Sequence, residues 1–425
     1  MSDQPSERQP LSTEPYKGVR DFYPEEWSVL MSIFGTMRRT LELWGYQEYN
    51  ASPLERAELY ESKTSEEIVT EQTYTFMDRG DRKVTLRPEM TPTFARMVAH
   101  KRRDVPLPLR WFSIPNVFRY ERPQRGRLRE HFQLNVDIAG VTDAKADGEI
   151  IVLASEILRA LGATPDHFII RINSRTLLSA ACTAAGFTTD EDVREYSRLL
   201  DRKKKMTPEE FATGLGGRTD PLSIIMSGSD ATVAQEKAKL LNMIEAFAAR
   251  GMTNVVFDPE IVRGFDYYTG MVFEVFDTNP ENPRSLFGGG RYDGLVGMFG
   301  GEPIPCVGCA MGDVTLLDFL ETHGLTPAVS AAPQLYIGTP TEGDFFAAQT
   351  VAQTLRTAGV RTIVHGAAKS LGDQIRDASR RGIPYFIVIG ELEAASDTVR
   401  VKTLATSEET TLLLTDVPAF INATR

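Results

Sequence analysis

The chain has 425 residues, more than one hydrophobic core usually organises, so two or three domains are expected. Its 42% hydrophobic and 25% charged composition excludes disorder as a description of the whole chain, and a formal net charge of −11 excludes coating of nucleic acid by bulk attraction while leaving room for local anion sites. No run approaches the roughly 20 apolar residues of a membrane span, the N-terminal stretch lacks a signal-peptide pattern, and three cysteines are too few for a disulfide framework, so a cytoplasmic protein without a membrane partner is expected.

Residues 1–14 carry no apolar run and read as a flexible tail. From Glu25 to Trp44, the residues Leu30, Phe34, Met37, Leu41 and Trp44 fall at helical spacing, and Gly45 ends the pattern. An extended run from Tyr46 to Tyr49 follows, then a hairpin from Tyr74 to Leu86 around Asp78-Arg-Gly80, and the sheet is expected to be antiparallel here. A helix is predicted from Thr91 to His100. Extended runs from Leu109 to Tyr120 and from His131 to Gly140 flank a polar loop with five arginines from Arg119 to Arg129, against Glu121 and Glu130. Helix returns from Asp143 to Leu161, and strand from Phe168 to Ile172.

Residues 174–251 read as a charged helical insertion. Residues 326–333 are linker-like, and from 334 to 425 strand and helix alternate, which predicts a mostly parallel sheet with helices packed on it. Neither a P-loop nor a Gly-x-Gly-x-x-Gly turn is present, so any nucleotide must be gripped in another way. Cys306-Val-Gly-Cys309 has the spacing of a metal or redox pair. It lies in an apolar run without a second pair, however, and no metal is assigned to protein side chains.

Four patches occur in order: Thr85-Leu-Arg-Pro-Glu89-Met-Thr91; Phe118-Arg119 through Arg129 to Gln133 and Asp137; Val262-Arg263-Gly-Phe-Asp-Tyr267-Tyr268-Thr-Gly270; and Phe287-Gly-Gly-Gly-Arg291-Tyr-Asp-Gly294. Together they resemble the histidyl-tRNA synthetases, a class II family, over nearly the whole chain from about Lys17. The resemblance implies an α+β catalytic domain over 15–325, an antiparallel sheet flanked by helices and carrying the helical insertion, plus a C-terminal α/β anticodon-binding domain. It implies histidine–tRNA ligase activity: ATP and L-histidine form an adenylate, and histidine passes to the 3′ end of tRNA-His. Mg2+ is implied to offset triphosphate charge, and a homodimer to form through the region from Trp27 to Pro53.

Activation brings a carboxylate up to a phosphate, so fixed cations are needed where the two anions meet. Arginine suits this because its planar fork stays charged and binds phosphate oxygens in pairs. By resemblance Arg119 grips the α-phosphate, Arg263 bridges it to the histidine carboxylate, and Glu121 and Arg127 help to seat ATP. Glu89, Thr91 and Gln133 are implied to hold the α-ammonium group, and Asp137 the imidazole, with Tyr267 and Tyr268 beside it. Gln124 and Arg129 are implied to lie near the tRNA acceptor end. Asp266 is a supporting residue, and Gly288 to Gly290 have the alternative reading of a tight turn.

Two departures stand out. The family more often has Glu at Asp137, and Thr315 stands where the family carries an arginine for the γ-phosphate. Threonine does not replace that charge, so relocation to Arg122, Arg125 or Arg127 is expected. Two rival readings are a histidine sensor like the regulatory subunit of ATP phosphoribosyltransferase and a tRNA-binding protein that has lost activation. The first normally lacks both the C-terminal domain and the Arg-Gly-x-Asp-Tyr-Tyr patch, and both are present here.

Overall fold

The structure, a computed structural model, describes residues 11–61, 72–262, 267–366 and 369–423. Most of the expected tail, residues 1–10, lies outside them. The chain divides into two compact units, Met1–Ala328 and Val329–Arg425.

The strands of the first unit are β1 (Gln47–Glu48), β2 (Leu54–Arg56), β3 (Tyr74–Met77), β4 (Lys83–Leu86), β5 (Leu109–Ser113), β6 (Asn116–Phe118), β7 (Glu130–Ala139), β8 (Phe168–Ser174), β9 (Val255–Phe257), β10 (Met271–Asp277), β11 (Ser285–Arg291) and β12 (Cys306–Gly312). The main sheet runs β1-β5-β7-β12-β11-β10-β8-β9, with β6 beside β7, while β2-β4-β3 forms a small separate sheet. Its central ladders are antiparallel, but β1 with β5 and β8 with β9 are parallel. Both exceptions have one cause. A connection containing helices returns the chain in its starting direction, as no tight hairpin does.

The run from Leu109 to Tyr120 is two strands, broken at Ile114-Pro115, because proline has no N–H to give the ladder. The helix Pro24–Leu43 buries Leu30, Ile33, Phe34, Met37 and Leu41. It packs on the helix Lys145–Ala160, which lies against the sheet. Each such side chain contributes about 1.5–3 kcal/mol on burial. Between β8 and β9 come the helices Arg175–Ala184, Asp190–Arg202, Pro208–Gly214, Pro221–Ser227 and Ala231–Ala248. Their starts are written locally: the side chains of Ser174, Thr189, Thr207, Asp220 and Asp230 each accept a first-turn amide.

In the second unit β13 (Leu335–Gly338), β14 (Thr362–Val364), β15 (Tyr385–Val388), β16 (Thr398–Thr403) and β17 (Glu409–Leu413) form a sheet ordered β14-β13-β15-β16-β17. The first three are parallel, and β15, β16 and β17 are antiparallel. The β16–β17 hairpin goes beyond the sequence reading. Glu409–Leu413 is an exposed edge strand with little apolar alternation to betray it. Among the described residues no helix is long and apolar enough to cross a membrane.

Candidate active site

The first patch becomes a rigid corner between β4 and the helix Thr91–Lys101. Arg87 is buried and spends its guanidinium on backbone, donating Nη1 to Ala51 O at 2.7 Å and Nε to Asn116 O at 2.9 Å. The turn it holds faces Glu89, itself only 3% exposed, toward Tyr267, whose hydroxyl donates to Glu89 Oε2 at 2.9 Å. Along β7, Gln133, Asn135 and Asp137 share one face because strand side chains alternate. Asp137 pairs with Gly308 of β12, where a Cβ would come within 2.1 Å of Asp137 Oδ1. Glycine there leaves space for the carboxylate.

Gly288, Gly289 and Gly290 lie within β11, so they form no tight turn. Gly289 and Gly290 serve close approach instead: a Cβ on Gly289 would meet Gly308 O at 2.0 Å, and one on Gly290 would meet Met271 O at 2.6 Å and the Tyr268 ring at 2.9 Å. The resulting cavity, about 110 Å³, is lined by Glu89, Thr91, Arg119, Gln133, Asp137, Tyr267, Tyr268 and Tyr292 together with residues of β12. Its aromatic wall is compact, with ring centroids of Tyr267 and Tyr268 4.8 Å apart and those of Tyr267 and Tyr292 5.7 Å apart. Burial pushes the Asp137 carboxyl up to about 7, a shift that the hydroxyl donated by Tyr292 opposes. Gln133 Oε1 is buried with no hydrogen-bond partner among the described residues, an acceptor that a ligand N–H would satisfy.

A second cavity of about 170 Å³ shares Arg119, Gln133 and Ala310 with the first and is also lined by Glu121, Arg127, His131 and Thr315. Arg119 follows β6 and is anchored by Nε to Pro88 O at 2.9 Å, with Nη1 4.0 Å from Glu121. Arg127 reaches Glu121 Oε2 at 3.4 Å. The loop between them closes on itself, with Gln124 and Arg127 exchanging backbone hydrogen bonds across Gly126 at φ +76°. His131 is half-buried near Arg119 and Arg20, and desolvation first, then both cations, lower its pKa to about 3, so its ring is neutral.

Of the residues named from sequence, Glu89, Thr91, Arg119, Gln133, Asp137, Tyr267 and Tyr268 meet in the first cavity, and Glu121 and Arg127 in the second. Arg263 and Asp266 lie outside the described residues. Arg129 lines neither cavity; it stacks over Tyr120 at 4.0 Å and donates to Tyr16 Oη at 2.9 Å, tying the loop to the N-terminal segment. Gln124 accepts from Arg284 at 3.0 Å. Cys306 and Cys309 are buried free thiols. Sequence reasoning missed Tyr292 and His131, although both sit inside quoted patches. A signal existed for Tyr292 in its place within the Phe287–Gly294 patch, one of the four that occur in order.

The histidyl-tRNA synthetase family model matches residues 18–315, and the anticodon-binding-domain model matches residues 336–424. A histidine–tRNA ligase from Leptospira biflexa is 41% identical over 419 residues, 95% of this chain and 96% of that protein. One from Halobacterium salinarum is 35% identical, covering 96% and 98% of the two chains. In fold, the crystal structure of histidyl-tRNA synthetase from Nostoc sp. aligns with a TM-score of 0.78 at 23% identity over 98% of this chain and 100% of that one. With a family model spanning most of the first unit and relatives above 30% identity end to end, this chain belongs to the histidyl-tRNA synthetase family.

Proposed function

We propose that the chain works as a histidine–tRNA ligase, using ATP to convert histidine to histidyl-adenylate and passing the histidyl group to the 3′ end of tRNA-His. The observation that carries the residue assignments is that Arg119 lines both cavities. A guanidinium there touches an amino acid in one cavity and a nucleotide in the other. Glu89 and Gln133 then accept from the α-ammonium group with Thr91 beside them, and Asp137 accepts an imidazole N–H while Tyr267 and Tyr268 pack on the ring. Arg119 and Arg263 hold the carboxylate in line with the α-phosphate, and Glu121 and Arg127 seat ATP. A histidine sensor has no need of the second cavity.

The histidine carboxylate oxygen attacks the α-phosphorus, the bond to the β-phosphate oxygen breaks, and pyrophosphate leaves with its electron pair. These residues position and neutralise; none is assigned as a general base. Among the described residues no three potential ligands gather into a metal site. Glu121, the carboxylate lining the nucleotide cavity, is the residue that would help to hold Mg2+ beside ATP, and the ion would supply charge neutralisation of the triphosphate. The tRNA acceptor end approaches Gln124 and Arg129 on the loop, the anticodon is read by residues 334–425, and two chains pair through the region from Trp27 to Pro53 in the cytoplasm. Support for the pairing is the part-exposed apolar surface of Trp27, Leu43 and Trp44.

The test is histidine-dependent exchange between ATP and pyrophosphate. Arg119→Ala and Arg263→Ala should each lower it by about 10²-fold or more, as for loss of a charge-stabilising donor. Histidine binding without exchange in the parent protein would favour a sensor.

A further inference from the structure

Three cavities lie end to end in the first unit. The nucleotide cavity shares Gly126, Leu286 and Thr315 with a third, of about 380 Å³. Thr315 stands in the shared wall. Its hydroxyl is spent on Leu286 O at 2.7 Å, and its methyl lies 3.4 Å from where a Cβ on Gly126 would be. Threonine is shorter than arginine, so the wall between the two cavities is thin at this point.

Beyond Thr315 the third cavity holds two guanidinium groups, Arg125 and Arg284, and two carboxylates, Glu281 and Asp318. Arg125 is engaged: Nε stands 4.0 Å from Asp318 Oδ1, and Nη2 donates to Asn282 at 3.1 Å. Arg284, immediately before β11, donates only to the neutral amide oxygen of Gln124, and among the described residues it has no carboxylate partner. The other arginines expected to cover the terminal phosphates are placed less well. Arg127 is drawn to Glu121, and Arg122 is exposed and outside all three linings.

We propose that Arg284 binds the terminal phosphates of ATP, reaching past Thr315 from the β10–β11 hairpin to supply the charge that position 315 lacks. The inference rests on reading the second cavity as the nucleotide site. When the bond between the α-phosphorus and the bridging oxygen breaks, the electron pair leaves with pyrophosphate, and negative charge accumulates at the end of the ligand farthest from Arg119. A guanidinium there offsets it. Exchanging a hydrogen bond to a neutral amide for one to a phosphate oxygen is favourable, because it adds the attraction between opposite charges and a bidentate fit that the single amide oxygen does not offer. Among the described residues no carboxylate has to be displaced first.

The experiment measures ATP/pyrophosphate exchange on the full chain for the parent, Arg284→Ala, Arg284→Lys, Arg284→Ala with Thr315→Arg, and Arg119→Ala. Arg284→Ala should raise KM for ATP by about 10- to 100-fold, the scale of one hydrogen bond to a charged group, and leave KM for histidine unchanged. Arg284→Lys should fall between, and Thr315→Arg should recover most of the loss. A non-hydrolysable histidyl-adenylate analogue has no β- or γ-phosphate, so its affinity should be the same for the parent and Arg284→Ala. An unchanged KM for ATP in Arg284→Ala, or equal weakening of ATP and the analogue, overturns the proposal. If exchange instead survives Arg119→Ala, the nucleotide-site reading beneath it fails.

Discussion

Asp137 carries the sharpest chemical consequence of any single residue in the first cavity. Its carboxyl is 4% exposed and titrates near 7 in place of the usual 3.8, with burial the cause. The sign follows directly. An acid whose folded-state pKa is raised keeps its proton in the native state between about 4 and 7 while the unfolded chain has lost it, so this group makes folding less favourable as pH rises through that window. The proposed function runs the other way, because there Asp137 accepts an imidazole N–H in its ionised form. The value of kcat/KM for histidine should therefore fall below about pH 7, by tenfold per pH unit from this carboxyl alone and more steeply once the substrate's own imidazole also protonates. In Asp137→Asn that limb should vanish, leaving only the titration of the substrate's own imidazole near about 6.5, on an activity lowered by about 10²-fold or more. An identical acid limb in parent and variant would remove Asp137 from the binding of the ring. Tyr292 belongs to the same account, since its hydroxyl donates to that carboxylate and fixes which oxygen remains for the ligand.

Neighbouring residues of one strand end divide the work between site and scaffold. Tyr292 faces the cavity, whereas Arg291 faces away and is 7% exposed, bonded to Asp147 at 2.7 Å and to the carbonyls of Val141 and Asp143 at 2.8 and 3.2 Å. It pins the end of β11 to the start of the helix Lys145–Ala160. Removing one partner of a buried pair leaves the other charge unmet, so Arg291→Ala should cost about 3–5 kcal/mol. Adding Asp147→Ala should cost less than the sum of the two single changes. Urea unfolding of the variants measures both, and a parental midpoint in Arg291→Ala would mean that the pair is idle. Much of this level was legible beforehand. Helices with apolar faces at a spacing of three and four, such as Pro24–Leu43, announce themselves. So does the order of the patches that converge on one cavity. What stayed hidden depends on pairing between distant segments: the parallel partners of β1 and β9, the glycines of β11 used for close approach, and Arg284, which no local pattern marks. Sequence neighbours of Arg129 suggest a ligand contact, but only the fold brings Tyr16 and Tyr120 to it.

At the scale of the molecule the chain is two units, each with apolar clusters of its own, and two tasks. The first unit's core is built around residues such as Ile150, Phe273 and Phe319, and the second around Leu335, Val351, Ile387 and Val401, with no residue shared between the two clusters. Each sheet closes on strands of its own unit, so neither needs the other to satisfy its backbone. A chain ending at Pro333 should therefore fold and keep histidine-dependent ATP/pyrophosphate exchange within about threefold of the parent, since domains with separate cores fold alone. Its charging of tRNA-His should drop much further, by about 10²-fold or more if the removed unit contacts anticodon bases worth about 1–3 kcal/mol each. The comparison isolates the second unit's role, because both reactions use the same adenylate site and only the second involves tRNA. Equal loss of the two activities would mean that the second unit supports the fold of the first, and undiminished charging would mean that recognition of the tRNA resides entirely around the loop carrying Gln124.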